Sequence, residues 1–185
     1  MIDGFVVSVN VGKAGKVHGQ DRNVTTGIFK EPVAGRVKVR RLGVEGDEQA
    51  DPTVHGGPMK AVYAYPSEHY AYWKVELGRE ALPWGMFGEN LTTQGLLENS
   101  VRIGDEFSIG TASMEITQPR FPCYKLGVKF ETMEMVRRFQ ASGRCGFYLS
   151  VVKEGDLGAG DRIELIRRAS SNPTISESFS SKLEE

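Results

Sequence analysis

The segment Gln118-Pro119-Arg120-Phe121-Pro122-Cys123-Tyr124-Lys125 places one thiol between two cations on a stretch stiffened by two prolines. A thiolate attacks electrophiles and binds soft metals, and nearby positive charge favours it over the thiol. Pro119 lacks a backbone donor and Pro122 fixes φ, so a strand running into this segment must stop there. The plain alternative is a Cys acting as a small buried hydrophobe. A second reactive stretch is His55-Gly56-Gly57 with Lys60. Paired glycines can take positive φ and turn backbone N–H groups toward an anion, and Lys60 would add a point charge for a phosphate. His55 could serve as base, ligand or anion donor, or could sit hydrogen-bonded in a tight turn. A third is Gly88-Glu89-Asn90, where Glu89 could move a proton or accept from a substrate amine, or lie in a surface turn.

Other chemistries are poorly supported. The two cysteines, Cys123 and Cys145, form no close pair, and His18, His55 and His69 share no zinc-ligand spacing. There is no phosphate-binding loop, dinucleotide fingerprint or serine-nucleophile elbow. Cys145 opens an apolar run and reads as structural. Lys+Arg number 23 against 24 Asp+Glu, which argues against duplex nucleic acid or an anionic membrane as partner. No apolar run approaches a membrane span, no secretory signal is visible, and two cysteines suit a reducing cytoplasm.

These groups need a frame, and the frame reads as mostly β. Phe5–Val11 and Ala61–Tyr65 are rich in β-branched and aromatic residues, while Arg36–Arg40, Met114–Thr117 and Arg162–Ile166 alternate apolar with polar. Phe147–Val152 adds a strand, and Val101–Ile109 a turn feeding one. Residues 12–27, 42–58 and 84–91 read as irregular. Two helices are predicted. One opens at Pro66, buries Tyr70, Trp73 and Leu77, and ends at Gly78; the other runs from Phe130 to Gln140, buries Met133, Val136 and Phe139 or Gln140, and stops by Gly143. Residues 169–185 are Ser-rich and read as a short polar tail, weakly ordered or pinned by a partner. Many short strands with few helices predict a barrel or folded sheet, and loops on one rim could bring the three reactive segments together.

In order along the chain, Gly46-Asp47, Ala50-Asp51, His55-Gly56-Gly57, Ala61-Val62-Tyr63, Gly88-Glu89-Asn90-Leu91, Gly104-Asp105 and Pro119-Arg120-Phe121-Pro122-Cys123 resemble the MOSC domain, named after the C-terminal part of molybdenum cofactor sulfurase, in its stand-alone YiiM-like branch. The resemblance implies a barrel-like MOSC fold over residues 1–168. It implies a molybdenum–pterin cofactor, with Cys123 as metal ligand and catalytic residue, Glu89 and His55 moving protons, and Arg120, Lys60, Gly56, Gly57 and Asn90 holding the cofactor. The implied substrates are N-hydroxylated base analogues such as hydroxylaminopurine. A thiolate suits a metal already held by sulfur donors, and glycines with cations suit the phosphate tail of the pterin. The alternative is a sulfur carrier, in which Cys123 accepts sulfane sulfur from a pyridoxal-phosphate-dependent cysteine desulfurase. No ferredoxin-type cysteine cluster is present, so electrons would come from an external donor. A cytoplasmic protein is expected, either alone or as a homodimer.

Overall fold

The computed structural model describes residues 3–18, 23–50 and 56–184. His55, with Asp51 and Pro52, lies outside the described residues. In chain order come β1 (Asp3–Val11), β2 (Gly15–His18), β3 (Asn23–Thr26), β4 (Glu31–Pro32), β5 (Arg36–Arg40) and β6 (Gly43–Val44). A short 3-10 turn, Pro58–Lys60, leads into β7 (Val62–Pro66), α1 (Glu68–Leu77) and β8 (Leu91–Gln94). The second half holds β9 (Glu106–Ile109), β10 (Ala112–Pro119), α2 (Tyr124–Phe130), α3 (Glu134–Ser142), β11 (Phe147–Lys153), β12 (Gly155–Gly158), β13 (Arg162–Arg167) and α4 (Ile175–Ser181).

Seven strands close on themselves in the order β1–β8–β7–β11–β10–β9–β13, and β13 returns to β1 with Asp3 opposite Glu164. Closure leaves no open edge in this ring. Every pairing in the ring is antiparallel except β7 with β8, which α1 connects as a crossover. β4 extends the sheet beside the end of β1, and β5, β6 and β12 form a separate three-stranded sheet. The expected mostly β barrel is therefore what forms.

All five residues of β7 are buried, so it carries a continuous apolar run. α1, α3 and the 84–91 segment pack against it: Tyr65 lies 4.6 Å from Phe87 and 5.9 Å from Phe139, and Trp73 stacks on Phe139 at 5.8 Å. Trp73 Nε1 donates to the Tyr65 hydroxyl at 2.7 Å, so this indole belongs to the core.

Several sequence-based expectations need correction. The Gly-rich stretch read as a loop folds into the β2–β3 hairpin, with Val17 opposite Val24. Pro66 ends β7, and α1 starts two residues later behind Ser67; its end at Gly78, φ 61°, is as expected. The helix predicted over 130–140 is broken. Glu131 adopts φ 59° and closes α2, which resets the phase of α3. Met135 and Phe139 then face inward, while Met133 is 43% exposed and Gln140 is exposed. The polar run after 169 holds α4, whose Thr174 and Glu177 form a reciprocal cap and whose Ile175 and Phe179 are buried. It packs on the protein's own β10.

Candidate functional site

The register of the barrel sets four strands, β10, β11, β7 and β8, side by side. Tyr63 of β7 lies opposite Tyr148 of β11, Tyr148 opposite Gln118 of β10, and Leu91 of β8 beside Ala64. Arg120, just past the end of β10, and Asn90, just before β8, therefore fall near one level across these strands. A cleft opens there with about 670 Å³ of empty space, counting the part open to solvent. Lys60, Asn90, Arg120 and Cys123 all line it, as do Lys30, Asp47, Tyr63, Lys125 and Tyr148. Among the described residues, four basic side chains (Lys30, Lys60, Arg120 and Lys125) and two acidic ones (Asp47 and Glu48) line it, and Glu48 is drawn outward onto Lys13 at 3.0 Å. The described lining thus carries a net positive charge.

Arg120 is its most constrained member. The residue is 5% exposed, and its Nη1 has no hydrogen-bond partner among the described residues. Its Cζ lies 5.2 Å from the Tyr63 ring centre and 5.0 Å from that of Phe139. Burial opposes the guanidinium charge, but Tyr63, Tyr148 and Cys123 more than offset it. A buried N–H left unpaired costs roughly 1–3 kcal/mol, so this guanidinium is held at a cost to the fold. Cys123 is half-buried, with extended backbone, at the residue preceding α2; its carbonyl accepts from Leu126 at 2.9 Å. Lys125, 8% exposed, forms no ion pair among the described residues.

Cys145 stands apart from this cleft. It is fully buried, and burial, with Glu98 second, pushes its thiol far above the ordinary range. The structural reading of Cys145 is the one the fold supports.

Three sequence candidates, Glu89, Gly56 and Gly57, are not among the residues lining the cleft. Glu89 is wholly buried and points into the wall. Its carboxylate accepts from the Tyr70 hydroxyl, Gly85 N at 2.8 Å, Phe87 N at 3.1 Å and Thr92 Oγ1 at 2.9 Å. Four donors saturate it, so it organises the 84–91 segment and presents no surface to the cleft. Gly57 does take φ 82°, but its N–H donates to Gln49 Oε1 at 3.2 Å, and neither Gly56 nor Gly57 is among the residues lining the cleft. Asn90 lines the cleft while all its polar atoms are engaged: Oδ1 accepts from Tyr63 N, and Nδ2 donates to Asp47 Oδ2 at 2.9 Å.

Sequence reasoning missed Lys30 as a site residue and gave Asp47 no role. Asp47 accepts from Gly12 N at 2.8 Å and forms a buried ion pair with Lys30. Burial pulls the Lys30 ammonium below its usual range, with Asp47 opposing. Nothing local marks Lys30, which sits in an ordinary loop; Asp47 was visible only as half of the Gly46-Asp47 pair. Among the described residues no cluster of three His, Cys, Asp or Glu side chains could hold a metal ion.

Residues 51–164 match the profile of the MOSC domain, so barrel and cleft belong to a MOSC protein. The uncharacterised protein YflK of Bacillus subtilis is 43% identical over 178 residues, spanning 96% of this chain and 79% of its own length. A protein named reductase from Gibberella moniliformis is 35% identical over 170 residues, which cover 89% of this chain but only 30% of that protein. The crystal structure of YiiM from Geobacillus stearothermophilus superposes with a TM-score of 0.80 at 36% identity, covering 97% of this chain and 83% of that one. The chain is a YiiM-like member of the MOSC family.

Proposed function

We propose that this protein holds a molybdenum–pterin cofactor in the basic cleft and reduces small N-hydroxylated molecules, hydroxylaminopurine-type base analogues among them. The observation that carries the reading is the buried Arg120 guanidinium, its Nη1 unpartnered, on the same wall as the half-buried Cys123. Arg120, Lys125 and Lys60 would take the phosphate of the pterin tail, and the Cys123 thiolate would take the metal. A metal that brings its own sulfur donors needs only one ligand from the chain, which fits a cleft with one thiol. When bound, the cofactor supplies the two-electron centre for reduction of the N–O bond.

The chain's own residues supply the rest. Reduction of a hydroxylamine to an amine takes up two electrons and two protons and releases water. The electrons come from a separate donor protein. The Lys30–Asp47 pair is the ionisable couple on the cleft wall, and its lowered ammonium is a stronger proton donor than an exposed lysine. Tyr63 and Tyr148, both kept as neutral phenols by burial, give a flat substrate an apolar wall.

Purification from a host that makes the cofactor tests this reading. Molybdenum and pterin should copurify with the wild type, and molybdenum should fall sharply with Cys123→Ser. Protein that carries neither, and takes up neither when the cofactor is added, sinks it. The sulfur-carrier alternative shares Cys123 and separates cleanly: a cysteine desulfurase would then leave one added sulfur on Cys123 in the intact mass.

A further inference from the structure

Lys129, near the end of α2, takes no part in the function proposed above, yet it is the best-satisfied cation near the cleft. Its ammonium donates to Ile28 O at 2.9 Å and to Gly85 O at 2.6 Å, and the Phe29 ring centre lies 5.6 Å away. Two carbonyls and a ring face engage the three N–H groups of an ammonium. Lys129 makes no ion pair among the described residues. Its acceptors belong to two loops already in close contact. A Cβ on Gly85 would come within 2.8 Å of Lys30 O, and one on Gly88 within 2.7 Å of Ile28 Cγ1. Gly27, Ile28, Lys30 and Gly88 line the cleft, and so does Cys123, at the opposite end of α2 from Lys129.

We propose that Lys129 is a positioning residue: it latches the helix that begins at Cys123 to the 27–30 and 85–88 loops and so sets the width and the charge of the cleft. The proposal rests on the anion-holding half of the functional reading. The charges that bear on this ammonium come from every side: Glu89 before β8, Lys30 in the β3–β4 loop, Arg120 beyond β10 and Glu31 in β4. Burial is the largest influence and pushes Lys129 down to about 8. Above that pH the amine keeps two N–H donors but loses the charge that strengthens both hydrogen bonds, and the neighbourhood of Arg120 loses a cation.

Sulfate is a suitable probe because its charge is constant over the range. In a Cys123→Ser background, which removes the thiol from the cleft, sulfate affinity should fall roughly three- to tenfold as pH rises through about 8. Lys129→Met should show the weaker affinity at every pH, and Lys129→Arg should keep the tighter affinity into alkaline solution. A fall that persists in Lys129→Met would assign the titration to another group, Lys30 foremost, and overturn the proposal. Trp84, beside Gly85 and 4.5 Å from the Tyr70 ring, gives a readout that needs no ligand. Its fluorescence should change with a midpoint near 8, and the change should vanish in Lys129→Met and in Trp84→Phe. A flat Trp84 signal overturns the latch even if sulfate binds. If sulfate binds at no pH while the Trp84 transition follows Lys129, the latch stands and the anion reading of the cleft falls.

Discussion

Cys123 and Cys145 carry the same thiol into opposite surroundings. Cys123 lines a cleft that also holds Arg120 and Lys125, whereas Cys145 is wholly buried and its thiol is pushed far up by that burial. Brief iodoacetamide treatment at neutral pH should therefore label Cys123 well before Cys145, as peptide mapping would record. Arg120→Met, which keeps volume and removes charge, should slow the reaction at Cys123 severalfold, because the guanidinium favours the thiolate. Equal labelling of both thiols, or a Cys123 rate indifferent to Arg120, would remove the physical basis of the site. At this scale the sequence was readable where chemistry is contiguous: Arg120, Cys123 and Lys125 lie within six residues and reach one cleft. It was unreadable where burial decides. Glu89 looked like an exposed acid because nothing near it in sequence announces Tyr70 as a donor, nor that Gly85 and Phe87 would turn their N–H groups inward.

α4 shows how an element can reach the site without lining it. Phe179 stacks on Phe121, ring centres 4.7 Å apart, and Phe121 precedes Pro122 and Cys123 on the cleft wall. The helix is held by the Thr174–Glu177 cap and by Ile175 N donating to Val101 O at 3.0 Å. Thr174→Ala should cost about 1 kcal/mol, the usual worth of a cap. Phe179→Ala should cost about 3 kcal/mol, since a buried ring leaves a cavity. Urea unfolding of both variants checks the order, and a Phe179→Ala loss no larger than that of Thr174→Ala would show that the helix is not docked. This element was hidden by composition: a Ser-rich run with few apolar residues resembles a tail, although Thr174 followed by Glu177 was a readable start signal. α2 was hidden by brevity, seven residues with Gly127 in the middle, and its end at Glu131 shifted the phase expected for the next helix. Strands that alternate or run continuously apolar, such as β7 and β13, were legible because their period is a local property.

For the whole molecule, the buried lysines give stability a slope against pH. Lys129 titrates at about 8 when folded against an ordinary 10.5, and Lys30 is lowered in the same direction. Between those values the unfolded chain holds protons that the folded chain has released, so stability rises with pH. The rise should run from about pH 8 toward 10, where ionisation of unfolded tyrosines begins to oppose it, because Tyr63 and Tyr65 stay neutral when folded. Urea midpoints across this range should climb in the wild type and climb less in Lys129→Met; a falling wild-type profile would contradict the burial of both ammonium groups. The ring itself carries a different consequence. Its last seam joins Asp3 to Glu164 and Phe5 to Arg162. On the ribosome the first strand emerges long before its partner exists, and β9 waits with it. Until β13 appears, both present bare backbone edges to any neighbouring nascent chain. The closing contact is among the most distant in sequence that the molecule makes, which favours slow folding and makes the interval before closure the time when chaperones matter most.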